Sequence, residues 1–519
     1  MKKQYTMKKR LGTLFLLLAF CLAWAGGAWA AEPAGQSGQL DLPQLGKLEI
    51  RRLLDNAQTN LGGKAVFASQ PVYTAPYVAG DLSPALKQAA LARFNALRRV
   101  AGLPSVSLDE ELCRKAQHAA VLMTATNYAS GSGKAHEPER PADMSADFYA
   151  LGSEGAAKSN LYRATDLLVA IDFWLDDPGN KNLADLGHRR WQLNPAMGKV
   201  GFGYSAGTDS YNPCSVEWVL DKSGGAVDYD FVAWPASGNF PAEVFAKNAP
   251  WSVTVNPDKY QQPEAAAVRV KLTRVADGRS WSFGGKTYQL SDSGTYFNVS
   301  THSYGLNNCI IFRPEGIGLY DGAYQVEISG LRDKNGQAAS LSYTVDFFGA
   351  PRNFYDVRGN DYFAGAVRWV VSAGIASGVS DRSFAPNATC TRGEILSMLW
   401  RANGSPLVDA VESFVDLDGK FYQTAALWAG AEGLVAGPYF EGDKPCSRGE
   451  VVYYLWVLAG RPQAGQDCAF ADVSQALAPA VAWAVEKKIT TGATAAAFEP
   501  QAICTRGQIA TFIYRAYRW

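Results

Sequence analysis

The stretch LADLGHRRWQLNPAMGKVGFGY, from Leu183 to Tyr204, carries the strongest local signals in this chain. A Gly-His-Arg-Arg run leads into an Asn-Pro turn, and the alternation of Val200, Phe202 and Tyr204 that follows predicts a strand. The histidine of the run, His188, is compatible with three roles: a catalytic base, a metal ligand or a structural hydrogen-bond centre. The rest of the chain is needed to choose among them.

The length and the N-terminus predict an exported protein of several domains. A chain of 519 residues exceeds what one hydrophobic core usually holds. Residues 1–30 resemble a secretory signal peptide, because basic residues precede the apolar run from Leu11 to Ala25 and small residues stand before Ala30. Removing them leaves 44 basic and 49 acidic residues, a net charge of about −5. We expect no transmembrane segment in the mature chain, and nothing in it indicates nucleic-acid binding.

The C-terminal third of the chain contains a threefold repeat. Each copy has a Phe-x-Asp opening, a helical stretch with a tryptophan, a glycine, a phenylalanine and then CTRGE, CSRGE or CTRGQ. The second helix of each copy is predicted to be capped by Thr391, Ser447 or Thr505, with an arginine in its first turn. Gly437 precedes Phe440 by three positions, where the other copies have six. The three cysteines of these motifs are expected to be buried thiols rather than disulfides, because they are equivalent positions in separate copies.

These motifs resemble the S-layer homology (SLH) repeat, with which bacteria attach proteins to the cell wall. The resemblance implies an all-α prism of pseudo-threefold symmetry whose grooves bind a pyruvylated secondary cell-wall polysaccharide. An arginine can meet the carboxylate of a pyruvate ketal with two hydrogen bonds. The polymer-binding residues that the resemblance implies are Asp356, Trp369, Gly378, Arg392, Asp416, Trp428, Gly437, Arg448, Asp472, Trp483, Gly492 and Arg506.

Two interpretations of the arginines stay open at this point. In the first, Arg392 and Arg506 face grooves beside free backbone N–H groups and bind the polymer, while the second copy contributes least because its loop is shorter. In the second, each arginine serves a helix cap or an interhelical salt bridge.

The segment from Ser83 to Ala206 contains four further motifs in order. They are RFNALRRVAGLPSVSLDEEL, KAHEPERP, SNLYRATDLLVAIDFWLDDP and LGHRRWQLNPAMGKVGFGY. Ser83 is a predicted helix N-cap, and a capping box at Ser107 and Glu110 is predicted to start the next helix. Together the motifs resemble the CAP superfamily of cysteine-rich secretory, antigen 5 and pathogenesis-related proteins. The resemblance implies an α-β-α sandwich with one cleft, lined by two histidines and one or two carboxylates.

The resemblance also supplies candidate cleft residues. The two histidines correspond to His136 and His188, and Asp177 takes the usual acidic position. Where the family has Gly-Glu-Asn-Ile, this chain has KSNL at 158–161, so the cleft loses a carboxylate unless Glu154 approaches from the same loop. The candidate cleft residues are His136, Asp177, His188, Asp176, Glu154, Ser159 and Asn160.

Three activities remain open for this cleft. Two imidazoles and a carboxylate suit Zn²⁺ or another divalent metal with one open position, so His136, His188 and Asp177 are candidate ligands, although no cofactor is required. No HExxH occurs, and Ser159 has no adjacent base in sequence. The alternatives are a cleft that binds a ligand or metal without turnover, a structural network, and a metal-assisted hydrolase or peptidase.

The two arginines that follow His188 are expected to differ in exposure. Of Arg189 and Arg190, one is expected to form an internal salt bridge and the other to be exposed.

Strand signals dominate the remaining segment and complete the predicted division of the chain. Alternating apolar runs separated by turns predict an immunoglobulin-like β-sandwich that acts as a spacer or second binding surface. We therefore expect a multidomain cell-surface protein with a signal peptide at 1–30, a pro-segment or linker at 31–82, a CAP-like domain at 83–206, a β-sandwich at 207–349 and SLH repeats at 350–406, 407–465 and 466–519. Its partners would be the wall polysaccharide and an unknown CAP ligand.

Overall fold

The structure, a computed structural model, describes residues 44–57, 59–127, 135–291, 293–408 and 414–518. The predicted signal peptide lies outside the described residues, as does the beginning of the expected linker. Among the helices in these ranges, none has the length and apolar character needed to cross a membrane.

The described helices are α1 (Lys47–Asn56), α2 (Pro84–Val100), α3 (Glu110–Ala125), α4 (Ala146–Ala157), α5 (Leu167–Asp176), α6 (Asn180–Leu183), α7 (Gly187–Gln192), α8 (Ala364–Ser372), α9 (Arg392–Ala402), α10 (Gln423–Ala431), α11 (Arg448–Leu458), α12 (Ala478–Glu486) and α13 (Arg506–Tyr517). The described strands are β1 (Phe67–Ser69), β2 (Asp81–Leu82), β3 (Ser107–Leu108), β4 (Ser159–Tyr162), β5 (Lys199–Ser205), β6 (Cys214–Trp218), β7 (Phe231–Trp234), β8 (Gly238–Pro241), β9 (Trp251–Val255), β10 (Arg269–Arg274), β11 (Ser280–Gly284), β12 (Tyr296–Ser300), β13 (Cys309–Arg313), β14 (Gly322–Arg332) and β15 (Ala338–Phe348).

The segment expected to be a linker contributes to the core where it is described. Helix α1 buries Ile50 and Leu54 in the same hydrophobic cluster as α2, α5 and the β-rich segment. Strands β1 and β2 form a small antiparallel pair just before α2. The residues from 44 to 82 therefore hold other elements together in addition to connecting them.

The CAP-like segment is built on an open sheet of order β3-β5-β6-β4. Helix α3 packs directly on β5, and the glycines of the VGFGY motif make this possible: a Cβ at Gly203 would lie 2.2 Å from the Ala116 carbonyl oxygen, and one at Gly201 would lie 2.4 Å from the Leu112 carbonyl carbon. Strand β6 pairs with both β5 and β4. The sheet thus continues past 206, where the sequence places the boundary.

The predicted N-cap of α2 is confirmed, whereas the predicted N-cap of α3 is wrong. The Ser83 hydroxyl accepts from the Leu86 N–H, as expected. Helix α3, however, begins at Glu110 and is capped by Asp109, whose carboxylate accepts from two backbone N–H groups. Ser107 is instead part of β3, because its backbone pairs with Lys199 of β5. A parallel strand partner far along the chain overrides the local capping-box signal.

The middle segment forms two open sheets of order β11-β10-β14-β15-β8 and β12-β13-β9-β7. Their inner faces meet through aromatic contacts: the Trp251 ring of β9 lies 5.7 Å from Phe347 of β15, and Phe231 of β7 lies 5.0 Å from Tyr343 of β15. Strand β8 pairs with β15 in parallel. The immunoglobulin-like topology stays a prediction.

The C-terminal segment contains two helices in each repeat, α8 and α9, α10 and α11, and α12 and α13, and helices of adjacent repeats pack together: α8 with α13, α9 with α10 and α11 with α12. The second helix of each repeat starts with the predicted capping box, built on Thr391, Ser447 or Thr505. Backbone N–H groups of Cys390, Cys446 and Cys504 donate to the carbonyls of Cys504, Cys390 and Cys446, at 2.9 to 3.0 Å, and so close a ring. All three thiols are buried and free, which confirms that expectation.

Candidate functional site

His188 and Asp177 form a tightly joined pair at the N-terminus of α7. Asp177 follows α5 in a left-handed conformation (φ 48°), which turns its carboxylate toward α7. The ring Nδ1 of His188 lies 2.7 Å from Asp177 Oδ1, and the His188 backbone N–H donates to Oδ2 at 3.0 Å. Asp177 is only 1% exposed. Both of its oxygens therefore hold His188.

This pair has a defined electrostatic effect. Burial alone would lower the pKa of His188, but the charge of Asp177 and its hydrogen bond outweigh burial and raise it. Because Nδ1 is engaged, Nε2 is the ring atom that remains for a ligand or a proton. The His188 side chain is 28% exposed, so solvent reaches the imidazole. The result is a fixed and reachable imidazole whose charged form is favoured by Asp177.

A second carboxylate, which the sequence analysis missed, lies beneath the pair. Glu217 on β6 is fully buried and accepts from Asn160 Nδ2 at 3.1 Å and from Gln192 Nε2 at 3.0 Å. Asn160 Nδ2 also lies 3.3 Å from the His188 carbonyl oxygen. Burial raises the pKa of Glu217 to about 8, although hydrogen bonds and Arg98 oppose the shift. The sequence signal was a lone acid in the strand CSVEW.

The other candidates lie in different environments. The exposed His136 places Nδ1 2.7 Å from the Ala156 carbonyl oxygen, and no hydrogen bond within the described ranges joins it to His188. Glu154 forms ion pairs with Lys115 and Lys158, both at 2.9 Å, so it does not replace the missing cleft acid. The hydroxyl of Ser159 is buried without a described hydrogen-bond partner, hence without a base to activate it.

Asp176 makes no described hydrogen bond to His188. It lines a cavity of about 160 Å³ together with Asp177, Pro250 and Arg313. Burial raises the pKa of Asp176 to about 6, and its Oδ1 has no hydrogen-bond partner in the described part of the chain. The neighbouring acids Asp176 and Asp177 thus take different roles.

The predicted metal site formed by His136, His188 and Asp177 does not fit these contacts. Asp177 binds the Nδ1 side of His188, and its carboxylate is closed to solvent, so it is placed to orient the ring rather than to share a ligand with Nε2. In the described ranges, no group of three or more His, Cys, Asp and Glu side chains is placed to hold a metal ion. Whether His136 and His188 share a ligand stays a prediction.

Both arginines of the Gly-His-Arg-Arg run are buried, so the expected exposed position is wrong. Arg189 donates to the carbonyls of Leu175 and Pro250, each at 2.6 Å. Arg190 donates to the Ser300 hydroxyl at 3.0 Å and to the carbonyls of His302 and Leu306. Backbone carbonyls of the two-sheet segment therefore hold the helix that carries His188.

The three arginines of the repeats lie where one repeat meets the next. We call each contact a seam, named after its arginine. Arg392 contacts the Phe440 carbonyl, Arg448 the Phe498 carbonyl and Arg506 the Phe384 carbonyl. The loop in each seam thus comes from the following repeat, in cyclic order. The shortened loop at Phe440 therefore belongs to the Arg392 seam, and the expectation that the second copy contributes least stays a prediction.

The helix N-termini in the seams are not open anion sites. The N–H groups of Arg392, Arg448 and Arg506 donate to the carbonyls of Lys444, Ala502 and Ala388, all at 2.9 Å. The following glycine N–H groups are satisfied by the same loops. The expectation of free N–H groups beside the arginines is wrong, because the neighbouring repeat supplies acceptors.

The other implied polymer-binding residues make contacts within the repeats, and their role in binding stays a prediction. Asp356, Asp416 and Asp472 each accept hydrogen bonds from two backbone N–H groups. These groups belong to the loops that begin at Phe384, Phe440 and Phe498. Trp369, Trp428 and Trp483 are 7%, 1% and 7% exposed and belong to the helical core. At Gly378 and Gly492 a Cβ would clash with the loop and with Phe354 or Phe470, whereas Gly437 has open space.

Comparison with known families agrees with this architecture. Residues 91–221 match the family model described as CAP, the cysteine-rich secretory protein family, and residues 353–396 and 469–510 match that of the S-layer homology (SLH) domain. The chain is a CAP plus SLH protein. No curated protein matches it. The CAP match extends through β6, in agreement with the sheet, and the SLH matches cover the first and third repeats.

SLH domains indicate anchoring at the cell surface and generally bind cell-wall polysaccharide. In this protein the segment between the two SLH matches has the same two helices and capping box. In the CAP segment, His188 pairs with Asp177, and the buried Glu217 of β6 lies close by.

Proposed function

We propose that this protein is exported and anchored at the cell surface by three SLH repeats that bind a pyruvylated secondary cell-wall polysaccharide, and that it displays a CAP domain whose cleft binds a ligand through His188. The observation that carries the anchoring proposal is the cyclic set of seams, each with an arginine against the loop of the next repeat. The ring closed by Cys390, Cys446 and Cys504 supports a pseudo-threefold arrangement.

The CAP cleft offers an oriented imidazole rather than a complete catalytic set. The raised pKa of His188 favours an imidazolium, which would bind an anionic or hydrogen-bond-accepting group of a lipid, glycan or peptide at Nε2. The β-rich segment holds α7 through Arg189 and Arg190, so the imidazole is preorganised.

Hydrolysis is the second candidate for the cleft. An Asp–His pair of this geometry is what a general base needs for orientation, and this favours acid/base chemistry over metal-assisted chemistry. Asp177 would orient the ring, and His188 would move a proton at Nε2.

Two experiments test these proposals. For anchoring, the full chain is sedimented with purified cell-wall sacculi before and after chemical removal of pyruvate; loss of pelleting after depyruvylation is expected, and equal pelleting would contradict the proposed ligand. For the cleft, metal content and a small-ligand screen are compared between the wild type and His188→Ala. Hits that bind both proteins equally would contradict a role for His188.

A further inference from the structure

The three seams carry equivalent arginines but different charges. In the Arg506 seam, the guanidinium lies 2.9 Å from Glu394 Oε1. In the Arg392 seam, it lies 2.6 Å from Glu450 Oε1. Both acids occupy the third helical position of the capping box in the following repeat. These two arginine charges are therefore neutralised within the protein.

The Arg448 seam lacks this neutralisation. The residue that corresponds to Glu394 and Glu450 is Gln508, which serves its capping box as an amide without charge. Arg448 donates to neutral oxygens: the Phe498 carbonyl at 3.1 Å, the Thr490 hydroxyl at 3.2 Å and the Thr491 carbonyl at 2.9 Å. No carboxylate pairs with Arg448 among the residues that the structure describes.

The loops reinforce this difference. The Arg448 seam has the longer loop of the third repeat, in which Gly492 precedes Phe498 by six positions. The Arg392 seam has the shortened loop, which also brings Glu441 to 3.6 Å from the guanidinium. Arg392 therefore lies beside two acids and the shortened loop of the second repeat. Arg448 lies beside the longer loop of the third repeat and pairs with no acid among the described residues.

Position and charge together select one seam for an anionic ligand. The Arg448 guanidinium is only partly buried, and the rings of Phe498 and Phe512, at 4.8 and 5.6 Å, hold it in place. A ligand carboxylate there gains a charge-assisted contact and competes only with neutral oxygens for the guanidinium. At Arg392 or Arg506, the same carboxylate would compete with a glutamate that is already bound.

We propose that the Arg448 seam is the principal anion-binding groove of the anchor and that Gln508 is the residue that determines this preference. The ligand class is a saccharide that carries a carboxylate, such as a pyruvate ketal. This inference rests on the proposed wall attachment and names the groove through which it acts.

The test uses the full chain and a methyl glycoside that carries a 4,6-pyruvate ketal, titrated by calorimetry beside the same glycoside without the ketal. The wild type is expected to bind only the ketal, with one dominant site. Gln508→Glu should place a carboxylate against Arg448, as in the other seams, and weaken binding by about tenfold or more. Arg448→Ala should weaken it by a similar factor.

A matched variant reverses the charge pattern. Glu450→Gln combined with Glu441→Gln removes both acids beside Arg392, and Gln508 shows that an amide is tolerated at the capping position of Glu450. This variant should keep the Arg448 site and gain binding at Arg392. If Arg448→Ala fails to fold, Gln508→Glu still tests the assignment of the seam. The new ion pair with Arg448 should maintain or raise the thermal stability of that variant.

The outcomes separate the two proposals. If the wild type pellets with sacculi but Gln508→Glu binds the ketal as tightly as the wild type does, the seam assignment is overturned and anchoring stands. Equal binding of the glycoside without the ketal would also overturn it. If the wild type does not pellet with sacculi at all, the proposed anchoring itself fails.

Discussion

The indole N–H of Trp369 donates to Asp55 Oδ2 at 2.8 Å and so joins helix α1 to the first SLH repeat across 314 positions of the chain. The Arg52 guanidinium adds two hydrogen bonds to the Tyr517 carbonyl at 3.0 and 2.8 Å. On its other side, α1 pairs Arg51 with Glu243 at 2.6 Å. A short helix before the CAP domain therefore holds the anchor and the β-rich segment together.

Asp55→Ala tests this connection. The substitution leaves the buried Trp369 N–H without its acceptor, and we expect a loss of about 1–2 kcal/mol in local stability. Hydrogen exchange should become faster in α1 and α8 and stay unchanged in α11. The exposed Glu49 on the same helix provides the control variant Glu49→Ala, because its carboxylate makes no hydrogen bond or ion pair with the described residues of the repeats. Equal protection of α1 in both variants would mean that the contact contributes nothing.

Asp177→Asn should lower the pKa of His188. The amide keeps the size of the side chain but removes the charge that raises this pKa. The chain has four histidines, so imidazole NMR signals can be followed individually. Asp185→Asn is the matched control, since Asp185 lies 2.9 Å from the ring of His302. An unchanged His188 titration in Asp177→Asn would contradict the assigned role of the pair.

The same pair predicts a stability change with pH. The folded pKa of His188 is raised, so its contribution is complete below the ordinary value of about 6.5 and is lost as the pH rises through the folded value. In Asp177→Asn this loss should be smaller. Urea unfolding of both proteins across this range measures the difference, and identical slopes would contradict the prediction.

Glu217→Gln should flatten the pH dependence of unfolding between about pH 4.5 and 8. In the wild type, folded Glu217 keeps its proton up to a pKa of about 8, whereas the unfolded chain releases it near its ordinary value. The unfolded state therefore binds fewer protons, and stability falls as the pH rises. The amide introduced by the substitution cannot ionise, so this contribution disappears. The exposed Glu264→Gln should keep the wild-type slope, and a shared slope in all three proteins would contradict the burial effect.

Arg506→Ala should destabilise the repeats by about 3 kcal/mol. Arg506 is 6% exposed and binds Glu394 and two carbonyls, so truncation leaves a half-buried acid and two carbonyls without partners. Arg382→Ala, at an exposed position of the same repeat ring, should change stability by less than about 0.5 kcal/mol. Calorimetry compares the two variants. Equal thermal midpoints would show that the Arg506 ion pair is not structural.

Much of the local structure could be predicted because its causes lie within a few residues. The N-caps at Ser83, Thr391, Ser447 and Thr505 were correct, since a cap hydroxyl binds an N–H three positions on. The repeat period placed three buried cysteines in equivalent positions. The start of α3 was wrong, because the pairing of Ser107 with Lys199 competes with its capping signal.

The candidate site was predictable as a set of residues but not as a set of contacts. Sequence resemblance named Asp177 and His188, yet only the left-handed turn at Asp177 shows that both carboxylate oxygens hold His188. Glu217 was not predicted to lie near His188, because a single acid in a strand does not indicate which residues pack over it. Arg189 and Arg190 were misjudged because their acceptors include carbonyls of strands and loops 61 to 116 positions away.

The sequence by itself determined the order of the CAP and SLH segments, the threefold repeat and the caps of the second helix in each repeat, because these depend on neighbours within a turn or on a recurring motif. Only the tertiary structure decided which loop and which charge each arginine meets. Glu450 lies 58 positions from Arg392 and Glu394 lies 112 from Arg506. The energy of an ion pair depends on the distance in space between its two charges, and the packing of adjacent repeats sets that distance.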